Sequence, residues 1–502
     1  MNASPQKLIA TPFEWYMLLD DTAVYPMVFT CHFVLQGELN LDLMVQAFKE
    51  SLQEHPLLRS RAVRTPDKSR FVWDVRSATD FCSTVVTEAN ELTAAPPTAR
   101  INALDGPNCC LSIRQVSKLQ DTKQEQAARS YLISLHFHHA ATDGIGSLEF
   151  CSDFFNRCLR LIKKQTGDDS SSTKRQASRK SISTELLVDR GLLDRRIPHP
   201  VKKSSAYLFL AREVVKFLLA FPARVRQIRY RPIATRISPS TNQVSEIRHL
   251  NHEAIFGGDC DISGVEISAE VVDILRRYAH SRGGTLNHIL LAATFRGFSK
   301  MHSGMFRWLQ PWVAVLPVNM RRTTQQRIPA HNGIGYAFIR RYRKTCLDWS
   351  HNFELTKSEL DAIQDWKLAA LFVDALDFVR RFPHWLAKCI IQNMSPGSFV
   401  WSYIGDPFRR FPEKLAEKDH VRFLGQCQIT DFFAAPPTRQ GTEASILVTM
   451  WQDSIRLWFR FDKSRINREQ AMFVRHAIAT EIVMLAKEIQ SSSSTLEPTD
   501  HD

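Results

Sequence analysis

The sequence predicts an α/β protein folded as two sandwich halves. Three observations carry that expectation. A chain of 502 residues exceeds what one hydrophobic core ordinarily organises, so two or three domains are expected. Strand-like apolar runs alternate with helix-periodic segments in each half, which is the pattern of layered α/β architecture. The net charge of +13 is also concentrated: Lys163 to Arg236 holds 18 Lys/Arg and 6 Asp/Glu, a net of +12, which leaves the rest near neutral. These bounds divide the chain into an N-terminal domain 1–162, a basic connector 163–236, a C-terminal domain 237–490 and a disordered tail 491–502. The near-neutral body has no basic stripe interleaved with aromatics, so no nucleic-acid partner is expected.

Taken in order, residues 11–63 read as strand, loop, strand, helix. Met27–Leu35 is β-branched and aromatic, and Gly37 breaks it. Leu43, Ala47, Phe48, Ser51 and Leu52 recur at helical spacing with Asn40 as cap, and Pro56 ends that helix. Phe71–Val75, Cys109–Val116 and Tyr131–His138 are further strands. Leu148, Cys151, Phe154, Phe155, Cys158 and Leu161 then mark an amphipathic helix. Lys163 to Ser205 is rich in Ser, Lys and Arg and reads as a mobile connector.

Ala206–Phe221 is an apolar helix followed by Arg224, Arg226, Arg229 and Arg231. Residues 206–231 suit either a peripheral contact with anionic lipid or packing on the protein's own core, and packing is the favoured reading. In the second half, Val265–Ile267 is a short strand, Ala269–Arg282 a helix, and a buried helix capped by Thr285 follows. Val313–Val318 and Gly335–Ile339 are strands, residues 353–392 form one or two long helices broken near Pro383, Ala444–Trp451 and Ile455–Phe461 pair as a hairpin, and Arg468–Ile489 is a last helix. Ten scattered cysteines form no Cys-x-x-Cys pair, which favours free thiols. The N-terminus lacks the apolar core of a signal peptide and no 18-residue uncharged apolar run occurs, so a cytoplasmic monomer is expected, with a membrane-peripheral location the alternative.

The stretch that concentrates chemistry is Ser134 to Gly144, where a strand runs into a turn carrying His136, His138, His139 and Asp143. Three ordinary readings compete. Histidines near strand ends are commonly hydrogen-bonded core residues. A metal site would use all four side chains, but strand alternation puts His136 and His138 on one face and His139 on the other, and no second cluster completes a shell; no metal is expected. Gly144-Ile-Gly146 opens a helix after a strand, but the third glycine and the acidic ribose ligand of a dinucleotide fingerprint are missing. The remaining reading is a base: Asp143 and Gly144, a residue that tolerates positive φ, fold the turn back and hold one imidazole with a nitrogen free.

His138-His139-Ala-Ala-Thr-Asp143-Gly144 resembles the His-His-x-x-x-Asp-Gly signature of the acyl-CoA-dependent acyltransferase superfamily, which includes chloramphenicol acetyltransferase, plant BAHD acyltransferases, peptide-synthetase condensation domains and wax ester synthase/diacylglycerol acyltransferases. His55–Arg61, Thr285–Ala293, Leu316–Arg321, Asn332-Gly333 and Ser402–Pro407 resemble further segments, with the wax ester synthase-like members the nearest; Asp431-Phe-Phe-Ala-Ala is too divergent from the plant Asp-Phe-Gly-Trp-Gly motif to carry anything over. The resemblance implies two chloramphenicol-acetyltransferase-like domains with a tunnel between them. It makes the chain an acyltransferase with acyl-CoA, or a similar thioester, as co-substrate, an alcohol or amine as acceptor, and no other cofactor. It assigns His139 as general base and gives His138 and Asp143 the task of holding it. Arg321 is the expected partner of Asp143, and Asn319 or Asn332 the expected support of the oxyanion. A catalytically quiet, condensation-like protein that binds a ligand or partner in the same tunnel is the alternative.

Overall fold

The structure is a computed structural model that describes residues 7–66, 70–77, 83–89, 101–116, 129–166, 182–195, 245–250, 262–300, 311–393, 397–411, 415–418 and 421–494. In the first half the order is β1 (Lys7–Ile9), α1 (Pro12–Asp20), β2 (Val28–Gln36), α2 (Leu41–Gln53), β3 (Ser60–Arg64), β4 (Phe71–Val75), β5 (Ser83–Ala89), β6 (Cys109–Val116), β7 (Ser130–His138) and α3 (Gly144–Thr166). The second half begins with β8 (Ile247–Leu250), β9 (Ile262–Ile267), α4 (Ala269–Ser281), α5 (Leu286–Lys300), β10 (Trp312–Asn319) and β11 (Ile334–Arg341). Helices α6 (Arg343–Leu347), α7 (Trp349–Asp365), α8 (Ala369–Val379) and α9 (His384–Asn393) follow. The chain then runs through β12 (Phe399–Gly405), β13 (Ala416–Lys418), β14 (Val421–Leu424), β15 (Cys427–Ala435), β16 (Ala444–Trp451), β17 (Ser454–Phe461) and α10 (Arg468–Ser494).

Two seven-stranded sheets organise these elements, in the orders β13-β14-β15-β2-β7-β6-β5 and β11-β10-β12-β16-β17-β9-β8, beside a small β1-β4-β3 sheet. Strand β7 is buried along its whole length, between β2 and β6, because Tyr131, Leu132, Ile133, Leu135 and Phe137 have apolar neighbours on both faces. Its register sets Val28 opposite His138, so the end of β7 is fixed against the start of β2. Asn40 caps α2 by accepting from the Leu43 amide, and α2 and α3 lie together over one core. Helices α5 and α10 cover the second sheet through residues such as Ile289, Phe295, Ile478 and Ile482. The architecture is the α/β, two-sheet arrangement that the alternating pattern predicts.

Several elements differ from the sequence reading. The segment after residue 11 is a helix and not a strand: Thr11 and Glu14 close a capping box, with Pro12 in the first turn. Buried residues on nearly every side of α1 erase the helical period that would have marked it. Part of the connector is packed, since Arg190 is buried and donates twice to the fully buried Glu14 (2.7 and 2.8 Å), which also accepts from the Trp73 indole. Residues 353–392 lie in three helices, because the chain also breaks at Lys367, whose φ is 51°. The last helix continues through Ser494, into what composition alone marks as tail. Strands β13 to β15, which belong to the second half by position, complete the first sheet through antiparallel pairing of β15 with β2. The expected helix 206–221 and its arginines lie outside the described residues. Among the described residues no helix is long and apolar enough to cross a membrane, and the cysteines are free thiols, most of them buried.

Candidate active site

Strand β7 delivers the two histidines to the seam between the halves. The His138 amide donates to the Asn108 carbonyl and the His139 amide to the Met27 carbonyl (2.7 Å), which ties the turn to both flanking strands. His138 is fully buried. Its Nδ1 accepts from the Ala140 amide, so the proton sits on Nε2, which lies 3.5 Å from Asp21 Oδ2. His136 is bound on both nitrogens, by the hydroxyls of Thr30 and Ser112, and burial pushes its pKa down to about 4.

His139 differs from both. Its ring stands against Phe29, with centroids 5.1 Å apart, and lines a cavity between the halves that encloses about 1250 Å³ of empty space, part of it open to solvent. Nδ1 is buried without a hydrogen-bond partner, which leaves Nε2 as the nitrogen the cavity can reach. Burial lowers the imidazole pKa, opposed by backbone hydrogen bonding at His139 and by the charge of Asp143, so the ring is a neutral base at ordinary pH.

Asp143 stands four residues away and is saturated. Arg321 grips it through two parallel bonds, Nη1 to Oδ2 at 2.9 Å and Nη2 to Oδ1 at 2.8 Å, while the amides of Gly146 and Gly333 donate one bond to each oxygen. Burial alone would raise its pKa; the guanidinium and the two amides reverse that and hold it at about 2. The bond from Gly146 is that of a helix N-cap, and an anion there also meets the positive end of α3. Asp143 and Arg321 thus clamp the turn to the 319–333 segment of the second half.

The glycine of the pair behaves otherwise than expected. Gly144 is the first residue of α3 and is absent from the positive-φ glycines, so no left-handed turn is needed there. The turn closes because Asp143 caps the helix. The crowded position is Gly146, where a Cβ would sit 2.4 Å from Thr142 Oγ1 and 2.7 Å from the His331 carbonyl; at Gly144 the nearest atom would be Ile404 Cδ1 at 3.5 Å.

The two asparagines part company. Asn332 is buried and donates to the His139 carbonyl (2.7 Å), so it holds the base from behind and is not among the residues lining the cavity. Asn319, at the end of β10, lines the cavity and accepts from the Arg321 amide (3.2 Å). Ser402, at the head of the resembling Ser402–Pro407 segment, also lines the cavity, and residues the sequence did not single out complete the walls: Tyr16 and Asp20 from α1, Tyr336 from β11, and Arg439 from the turn before β16. Apolar side chains such as Met27, Phe29, Leu148, Val315, Ile404 and Phe432 make up most of the remaining lining.

No family model and no curated protein sequence matches the chain. Solved structures do. The chain superposes on the TRI3 trichothecene 15-O-acetyltransferase of Fusarium sporotrichioides with a TM-score of 0.61 at 14% identity, covering 96% of this chain and 95% of that one. The first condensation domain of the calcium-dependent antibiotic synthetase, in complex with a substrate analogue, gives 0.60 at 12% identity, over 96% and 97%. A mutant starter condensation domain of rhizomide synthetase, in complex with C8-CoA and Leu-SNAC, gives 0.54 at 12% identity, over 96% and 95%. The chain therefore has the two-domain fold shared by condensation domains and chloramphenicol-acetyltransferase-like acyltransferases, over nearly its whole length.

Proposed function

We propose that the chain is an acyltransferase that moves an acyl group from a thioester of the acyl-CoA type to the hydroxyl or amine of an apolar acceptor. The observation that carries this reading is the buried, neutral His139 imidazole, which lines the cavity with Nε2 open to it while His138 does not. The three superposed proteins add support, since one is an O-acetyltransferase and two are condensation domains, one of them in complex with C8-CoA.

In this reading the acceptor O–H or N–H donates to His139 Nε2. As the oxygen or nitrogen attacks the thioester carbonyl carbon, its proton passes to Nε2 and the carbonyl becomes a tetrahedral oxyanion. The carbon–sulfur bond then breaks, and the departing thiolate takes the proton back from the imidazolium. Base catalysis contributes about 10²–10⁴-fold, and alignment in the cavity supplies more. Asn319 is the candidate oxyanion donor because it lines the cavity, whereas Asn332, His138, Asp143 and Arg321 are positioning residues. The Thr285–Ala293 and Leu316–Arg321 segments favour the wax ester synthase-like branch, hence a hydroxyl acceptor.

Incubation with octanoyl-CoA and a panel of alcohols and amines, followed by mass spectrometry, tests the reading. An ester or amide formed in step with free CoA is expected. Intact octanoyl-CoA and no acylated product across the panel reject it.

A further inference from the structure

One wall of the cavity, formed by α1, β11 and the turn before β16, carries two phenol hydroxyls whose protons have no acceptor among the described residues. Arg439 is buried at 7% exposure; it donates to the Tyr16 hydroxyl (2.6 Å), to Asp20 Oδ1 (2.9 Å) and to the Ile391 carbonyl (3.0 Å), while its Nε–H is buried with no acceptor. The Tyr16 hydroxyl takes the arginine's bond with its oxygen, and its own proton has no acceptor among the described residues. Tyr336, half-buried on the same wall with its ring 6.3 Å from that of Tyr16, has a hydroxyl with no protein partner among the described residues. Burial pushes both phenols up in pKa, so each keeps its proton and remains a donor.

Charge on this wall is balanced. The Arg439 guanidinium is matched by Asp20, and the other carboxylate lining the cavity, Asp143, is matched by Arg321. Unpaired phenol protons in a charge-balanced, mostly apolar surround are complementary to a neutral acceptor oxygen. A carboxylate or phosphate would enter without a free countercharge and would bear the cost of desolvation.

We propose that Tyr336, Tyr16 and Arg439 form a subsite that recognises a neutral carbonyl- or ether-type oxygen on an otherwise apolar acceptor. Tyr336 makes the direct bond, and the Arg439–Asp20 pair fixes Tyr16 beside it. The subsite names the acceptor class for the acyl transfer proposed above and rests on that reading. It also distinguishes the acceptor from a plain hydrocarbon alcohol, which leaves these donors unsatisfied.

Isothermal titration of the full-length protein, without acyl donor, compares three ligands: decanol, the hydroxy ketone that carries a methyl ketone at its far end, and the corresponding hydroxy acid. The hydroxy ketone binds about tenfold more tightly than decanol, which corresponds to roughly 1.4 kcal/mol for one buried hydrogen bond, and the hydroxy acid binds most weakly. Tyr336→Phe shrinks the ketone advantage below about threefold, leaves decanol affinity unchanged, and keeps the wild-type melting temperature. Equal binding of ketone and decanol, tightest binding of the hydroxy acid, or no binding of any of the three overturns the subsite. Acylation of decanol from octanoyl-CoA, measured in parallel, separates the two ideas. His139-dependent transfer without ketone preference sinks the subsite and keeps the acyltransferase, whereas ketone preference without transfer does the reverse.

Discussion

His139 and Asp143 share one turn, yet they are built in opposite ways. Every oxygen lone-pair direction on Asp143 is addressed, by a bidentate arginine and two backbone amides, and its pKa falls to about 2. The His139 ring is left unsatisfied at Nδ1, and its pKa is lowered by burial. The contrast separates holding from acting: a saturated group cannot exchange a proton cheaply, while an unsatisfied neutral imidazole facing a cavity can. It also explains why the second half of the chain matters to a motif that lies in the first. Arg321, Asn332 and Gly333 reach across the seam to fix the turn from behind, through bonds to the Asp143 carboxylate and the His139 carbonyl and not to the imidazole itself.

Breaking the contrast at its active end has the largest effect. His139→Ala lowers transfer by at least about 10²–10⁴-fold, the usual contribution of a general base, while the melting temperature stays at the wild-type value; turnover that survives the substitution removes His139 from the chemistry. Next is the clamp. Arg321→Ala leaves a buried carboxylate without its countercharge and costs roughly 3–5 kcal/mol, visible as a lower denaturant midpoint. A variant as stable as the parent would show that the pair holds nothing.

The clamp also predicts a pH dependence. The folded pKa of Asp143, about 2, lies below the unfolded carboxylate value of about 3.9. The stabilisation is therefore present above pH 4 and is lost as the pH falls towards 2, a change on the order of 2 kcal/mol. Urea titrations from pH 6 to 2 should show that loss in the wild type and a smaller one in Arg321→Ala; equal slopes would contradict the assignment. For catalysis the sign concerns the base: because burial lowers the His139 pKa, the acid limb of the rate profile falls below the 6.5 of an ordinary histidine.

Asn332→Ala releases the His139 carbonyl and costs about tenfold in kcat, with KM unchanged, because it loosens the base without touching substrate. The pair of glycines sharpens the local picture, Gly144 with the smallest effect of all. Gly146→Ala forces a Cβ against Thr142 and the His331 carbonyl and destabilises by about 1–3 kcal/mol, whereas Gly144→Ala meets only ordinary contact and stays within about 0.5 kcal/mol of wild type. Reversal of that order in thermal melts would put the strained position back at Gly144.

Much of this was legible in the sequence, and the illegible parts share a physical reason. Strands β4 and β6 fall on Phe71–Val75 and Cys109–Val116 as the apolar runs predict, and α2 carries its Asn40 cap, because these signals are local. Helix α1 is illegible in the periodicity because Phe13, Trp15, Tyr16, Met17 and Leu19 are all buried, which leaves no amphipathic period, although Thr11 and Glu14 spell its start. The break at Lys367 carries no glycine or proline to announce it. The motif itself was visible and led to Arg321 by resemblance, yet the turn chemistry was misplaced by two residues, from Gly146 to Gly144. The Tyr16–Arg439 contact joins residues 423 positions apart, and the pairing of β15 with β2 joins the two halves; no local pattern encodes either.

The division of labour between the two ends of the turn is tested most directly by Asp143→Asn, with its melting temperature and its rate of CoA release from octanoyl-CoA measured on the same preparation beside His139→Ala. The account predicts that Asp143→Asn loses stability and activity together, because the uncharged amide no longer anchors Arg321 and the turn carrying His139 shifts. Wild-type melting with activity abolished would contradict it, since Asp143 would then take part in the chemistry itself.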